Sequence, residues 1–323
     1  MNNEELLQIL SVKVGAGEIS REEIMSRLSD RGSIPPRRDR TSHFSLTKIF
    51  YVLGALVALV GIIFFIRQIW DDIGSGGRIF VTLGLGLILA LIGSVLLKTK
   101  PDRWLGQVFH TMAGFLIPGG AMVALNEIIG LAYLDSLWPV TIISGAVFLF
   151  YLLLTVSHRN EVLTFFAAAN GTAFVYLLVE SMIDGPFYRH DDIYAYLTMI
   201  IGLSYLLLAH SFRDSWNKHL VGVFNFLGAA GFLGAAFSRV FDSVPWQWLF
   251  FALAVGGLLL AVYIKSRSVL AVSVLFLIAH FIYITKEYFA DSISWPILLV
   301  ILGFLFIGLG YISITINKKY LSP

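Results

Sequence analysis

Side chains with chemistry to offer are few and thinly spread. Five polar residues interrupt long apolar runs: His110, Asn170, Glu180, Asn225 and His280. In a dry surrounding, an imidazole or carboxylate can relay a proton or hold a ligand. It can equally join two helices through a hydrogen bond worth about 1 kcal/mol. His280 and Glu287 stand seven residues apart, which puts both on one face of a helix. Glu180 can reach Arg189 through the length of the two side chains. No H-E-x-x-H spacing occurs, and the chain has no cysteine. Zinc, iron–sulfur and thiol chemistry therefore lack ligands, and no metal or cofactor is expected. Nothing marks a serine as paired with a histidine for nucleophilic hydrolysis, so the expectation leans away from an enzyme.

Two further patterns concern backbone. Pro118-Gly119-Gly120 falls inside an apolar run. A proline there cannot donate to the carbonyl four residues back, so a helix is expected to kink or open at this point. Broken helices of that kind line binding sites in transporters, and simple kinks are common in membrane helices. Gly228, Gly231 and Gly234 recur at every third position, a groove that lets another helix backbone approach.

The elements that carry these residues follow from composition. The chain has 323 residues, 57% hydrophobic and 14% charged, with a mean hydropathy of +0.80. An ordinary soluble domain is about 45–50% apolar and about 25% charged. A hydrocarbon core of about 30 Å needs about 20 apolar residues in a helix. Runs of that kind lie near Ile49–Ile66, Ile79–Leu97, Leu105–Leu125, Trp138–Val156 and Val162–Ile183. Five more lie near Ile193–Phe212, Leu220–Val240, Trp246–Ile264, Val269–Thr285 and Trp295–Ile316. The fold class is therefore all-α: a polytopic transmembrane bundle of about ten spans, arranged as five out-and-back hairpins over residues 48–317. All five polar candidates fall on odd-numbered spans, which predicts that odd helices face a shared interior.

Loop charge orients this scheme. With the N-terminus inside, 18 of the 23 Lys and Arg residues fall on the inner side, as the positive-inside rule requires. Asp71, Asp72, Glu127, Asp135, Asp184, Asp191, Asp192, Asp242, Glu287 and Asp291 fall outside. Trp70, Trp138, Trp246, Trp248 and Trp295 mark the outer interface, and Trp104 and Trp216 the inner one. The expected location is a bacterial plasma membrane, with both termini and a short tail over 318–323 cytoplasmic. Net charge is only +2, which gives nucleic-acid binding no support.

Residues 1–30 read as a small cytoplasmic helical hairpin. Leu6, Leu7, Ile9, Leu10 and Val14 form one apolar stripe. Gly15-Ala16-Gly17 makes the turn, and Ser20-Arg21-Glu22-Glu23 fits a capping box. So short a hairpin cannot bury its own core, so it is expected to dock on a protein partner or a second copy. A basic linker over 31–47 follows, with Pro35-Pro36 and Arg37, Arg38 and Arg40 beside the anionic leaflet.

Weak internal echoes are visible. Asp135-Ser136-Leu137-Trp138-Pro139, Asp242-Ser243-Val244-Pro245-Trp246 and Asp291-Ser292-Ile293-Ser294-Trp295-Pro296 each open an even-numbered span. Val108-Phe109-His110 is echoed by Val223-Phe224-Asn225. Both a true repeat and convergent helix capping produce such patterns.

Gly17-Glu18-Ile19-Ser20-Arg21-Glu22-Glu23, then Tyr51-Val52-Leu53-Gly54-Ala55-Leu56 and Ile69-Trp70-Asp71, resemble a bacterial family of predicted membrane proteins of unknown function. The resemblance covers roughly the first 100 residues. It implies a multi-span membrane protein and carries no catalytic residues. Two function classes stay open: a small-molecule or ion transporter, and a non-catalytic scaffold, sensor or assembly factor acting through its head.

Overall fold

The computed structural model describes residues 11–16, 20, 46–99, 104–130, 136–183 and 191–289, with scattered helical positions between 300 and 315. The chain divides into two compact units, Met1–Phe50 and Tyr51–Pro323. In the first, residues 11–15 are helical and Ala16 begins a turn, its N–H bonding to the Val12 carbonyl at 2.9 Å. The expected second helix of the hairpin, the basic linker up to residue 45 and the C-terminal tail lie outside the described residues; residues 46–47, expected in the linker, begin the first long helix.

Nine long helices are described. They are α1 (Leu46–Ile69), α2 (Ser75–Thr99), α3 (Trp104–Ile128), α4 (Trp138–His158) and α5 (Glu161–Met182). The second half holds α6 (Asp191–Ser211), α7 (Lys218–Phe241), α8 (Val244–Tyr263) and α9 (Arg267–Phe289). Helices α2 to α9 are each long and apolar enough to cross a membrane, and α1 adds an apolar stretch over Leu56–Ile69. These match the first nine expected spans; the tenth, Trp295–Ile316, lies largely outside the described residues. The protein is a polytopic helical bundle. Its exposed surface says the same: Phe64, Leu91, Ile142, Leu153, Ile200 and Leu259 all point outward, a pattern suited to lipid rather than water.

Helix ends follow local chemistry. Pro139 and Pro245 sit in the first turns of α4 and α8, where a missing N–H costs nothing. Asn160 caps α5 by accepting from the Val162 N–H at 2.9 Å. Arg159 and Lys265, after α4 and α8, take left-handed backbone at φ 48° and 53°. Asp242 does not cap α8: its carboxylate is 2.9 Å from Arg239 Nε, and Ser243 occupies the N-cap position without a side-chain bond.

Two four-helix groups pair in the same scheme. In the first, α3 packs on α2, α4 and α5, while α4 pairs with α5. In the second, α7 packs on α6, α8 and α9, while α8 pairs with α9. His110 on α3 and Asn225 on α7, the echoed positions, are both buried. Small residues let the central helices close in. A Cβ on Gly202 of α6 would strike the α7 backbone at Phe232 and Gly228, and one on Gly120 of α3 would strike α2 at Thr82 and Leu83.

The α2 segment that meets Gly120 is itself irregular: Phe80–Gly84 is π-helical. The Thr82 hydroxyl donates to the Arg78 carbonyl at 2.7 Å. Widened turns of this kind need a local compensation, and side-chain bonding to the ladder supplies one. Opposite it, α3 runs unbroken through Pro118 to Gly120. The expected opening of the helix is absent: the chain meets the proline with a continuous helix, and the irregular turn sits on the facing helix.

The groups meet along α5 and α6 through hydroxyls. Thr172 and Tyr205 share a 2.7 Å hydrogen bond, Tyr176 and Thr198 one of 2.6 Å, and the Tyr205 hydroxyl also donates to the Ala168 carbonyl at 3.3 Å. Between lipid-facing helices, such bonds supply attraction that burial alone cannot.

Candidate functional site

His110 has no accessible surface. Gly93 on α2 makes room for it; a Cβ there would come within 2.9 Å of the imidazole. Its Nε2 lies 3.4 Å from the Ser94 hydroxyl, and its ring is 6.1 Å from that of His158 on α4. One turn deeper, the Tyr151 hydroxyl donates to the Ala113 carbonyl at 2.9 Å. This polar seam ties α2, α3 and α4 together. Asn170 turns inward on its own helix, its Nδ2 donating to the Phe166 carbonyl at 2.8 Å. Glu180 is half-buried on α5; Arg189, its expected partner, lies outside the described residues.

His280 differs from these. It is 4% exposed, with the Phe250 ring 5.2 Å away and those of Phe251 and Phe281 at 6.3 Å. It also borders a cavity of about 510 Å³ between α8 and α9. Val244, Gln247, Trp248 and Phe251 line one wall; His280, Phe281, Ile284 and Tyr288 line the other. The spacing on α8 is that of a single helix face. Gln247 is buried, and Tyr288 donates its hydroxyl to Gln247 Oε1 at 2.8 Å. No Asp, Glu, Lys or Arg is among these lining residues. Glu287, on the same helix as His280, is exposed rather than part of the wall.

The five sequence candidates therefore do not converge. His110 belongs with the first helix group, Asn225 and His280 with the second, and Asn170 serves its own helix. Pro118 is half-buried, Gly119 exposed and Gly120 buried against α2. Buried polar residues also occur on even-numbered spans, among them Gln247, Thr141 and Ser144. Sequence reading missed Gln247 and Tyr288 at the cavity: Gln247 sits one turn into α8 beside two interfacial tryptophans, where an amide looks like ordinary headgroup chemistry.

Ion pairs bind the helix ends. Arg78 reaches Glu127 at 3.0 Å, bonds the Trp70 carbonyl at 3.0 Å and lies over the Trp70 ring at 5.1 Å. At the corresponding corner of the second group, Arg239 pairs with Asp192 and Asp242 and stacks over Tyr196 at 5.9 Å. Glu161 meets His219, and Arg213 donates to the Ile264 carbonyl at 2.9 Å. Glu127, Asp192 and Asp242, which the charge pattern groups on one side, each pair with an arginine. Among the described residues, no group of three or more His, Asp or Glu side chains could hold a metal ion.

Helices α1 to α3, most of α4 and the Trp70–Arg78 corner fall within one region of recognised similarity. Residues 18–155 match the family described as "Predicted membrane protein (DUF2157)". The match begins inside the expected hairpin and runs almost to the end of α4, farther than the motifs around Tyr51 and Trp70 alone. The DUF2157 region thus takes in the His110 seam and the Gly120 contact, while the α8–α9 cavity lies beyond it. No curated protein and no solved structure matches the chain.

Proposed function

We propose that this membrane protein binds a small, largely apolar molecule between α8 and α9. The observation that carries this reading is the cavity of about 510 Å³ walled by aromatic rings, with His280 and Gln247 as its polar points. Small-molecule sites are concave, about 300–1,000 Å³, mostly apolar and marked by a few placed polar groups. A ligand handled there suits transport or sensing of a small molecule. The sealed surroundings of His110 and Asn225 do not favour ion passage through those helices.

The test is extraction. Purified protein is washed, denatured and extracted with organic solvent, and the released small molecules are compared by mass spectrometry with those from Trp248→Ala. An apolar species enriched on the parent protein and depleted on the variant is expected. Identical extracts refute the reading.

A second reading rests on Met1–Phe50 forming its own compact unit: a scaffold or sensor whose head recruits a partner protein. Both readings place the termini in the cytoplasm of a bacterium, supported by the basic inner loops. Reporter fusions after Asp135 and Asp242 should report the outer side; a cytoplasmic signal from either breaks that orientation.

A further inference from the structure

We propose that the α8–α9 cavity takes a neutral, flat, carbonyl-bearing molecule of the quinone class; this rests on the cavity being a ligand site. The pairing scheme of the bundle does not itself demand a cavity. In the first helix group, the equivalent pair α4–α5 is closed by Phe148 and Phe174, stacked at 6.1 Å. Each of those rings lies against a glycine of the opposite helix, Gly171 and Gly145. Lower down α8 and α9 are equally tight, since a Cβ on Gly257 would strike Ser273. The helices part where Trp248, Phe251, His280 and Ile284 line the cavity.

Charge excludes most headgroups. With no ionised side chain among the described lining residues, a phosphate, carboxylate or ammonium would enter the cavity unpaired, at large desolvation cost. The polar points favour an acceptor. His280 Nδ1 is sealed off without a hydrogen-bond partner. An orphaned buried N–H is rarer and costlier than an unused lone pair. Neutral imidazole carries one proton, so the proton sits on Nε2, the ring's other polar atom and the one left to serve the cavity. Gln247 Oε1 is occupied by the Tyr288 hydroxyl and its amide also bonds Tyr283, which leaves one amide N–H to donate. The indole of Trp248 and the rings of Phe251 and Phe281 offer flat apolar walls. Donors on an aromatic-walled, uncharged site fit a ring bearing carbonyl oxygens, with any hydrocarbon tail left in the lipid.

The full-length protein in detergent is photolabelled with an azido-substituted benzoquinone, with and without excess short-chain benzoquinone as competitor. Saturable labelling should map to peptides of α8 and α9. His280→Leu should weaken it about 10-fold, a loss of about 1.4 kcal/mol. His280→Gln, which restores a donor, should recover most of it. Trp248→Ala, at a side chain 73% exposed and so without burden on folding, should also weaken it. Absent labelling, or labelling unchanged in His280→Leu and Trp248→Ala, overturns the quinone assignment. A photoreactive fatty-acyl probe separates the two claims. If it labels α8–α9 saturably where the quinone does not, the ligand site stands and the quinone class falls; if neither probe labels, both fall.

Discussion

Gly120→Val should abolish most of the folded protein, while Gly119→Val should leave it intact. The two glycines are adjacent, yet a helix turns about 100° between them. Gly120 faces the π-helical turn of α2, where a Cβ would strike the Thr82 and Leu83 backbone. Backbone cannot rotate aside as a side-chain tip can. The cost is therefore at least the ~1–3 kcal/mol of ordinary overpacking, and α2 must separate from α3 to relieve it. Gly119 is exposed, with nothing within 4 Å of its Cβ position among the described residues. Valine there also has a slightly better helix propensity than glycine. Fluorescence-detected size exclusion and thermal melting in detergent read both variants. Equal behaviour of the two would remove the α2–α3 contact from the account of this fold.

Phe250→Ala should lower stability by about 3–5 kcal/mol, the usual range for deleting a buried aromatic ring. Phe250 is fully buried beneath the cavity and packs on Phe237, Phe276 and His280, with ring centroids 5.2, 6.4 and 5.2 Å away. Removing it leaves a void that lipid cannot reach, so the lost dispersion contacts are not replaced. It also frees the His280 ring from one of its supports. Chemical denaturation in mixed micelles, with Trp248→Ala as the exposed neighbour for comparison, measures the effect. A loss below 1 kcal/mol would mean that the α7–α8–α9 core packs more loosely than its burial indicates.

Particular residues show how much of the architecture was readable beforehand. Glu127, Asp192 and Asp242 group on the outer side by loop charge; Glu127 pairs with Arg78, and Asp192 and Asp242 meet at Arg239. The alternation was legible because charge is excluded from hydrocarbon whatever the helices do to one another. Pro118 shows the opposite case. The helix does not open at Pro118, while a π-helical turn lies on the facing helix, at Phe80–Gly84, where the apolar sequence gives no warning.

The candidate site was half legible. His280 stood out because an imidazole in an apolar run needs a reason. Its cavity partners did not, because Gln247, Trp248 and Tyr288 are common near an interface, and their convergence depends on which helices pair. The equal weight given to His110, Asn170 and Asn225 dissolved for the same reason: one is sealed by Gly93, one bonds its own helix, and one is buried between helices of the second group.

What the sequence determined by itself is the all-helical, multi-span character of this protein, the places of its first nine spans and the grouping of its loop charges. Those follow from bilayer thickness and desolvation, which act on each segment alone. Only the tertiary structure decided that α3 and α7 are the central helices, that α4–α5 close on stacked rings, and that α8–α9 part around His280. An apolar helix gains little by leaving lipid for another apolar helix. Its choice of neighbour therefore rests on steric fit between small and large side chains distant in sequence, and that fit exists only once the chain is folded.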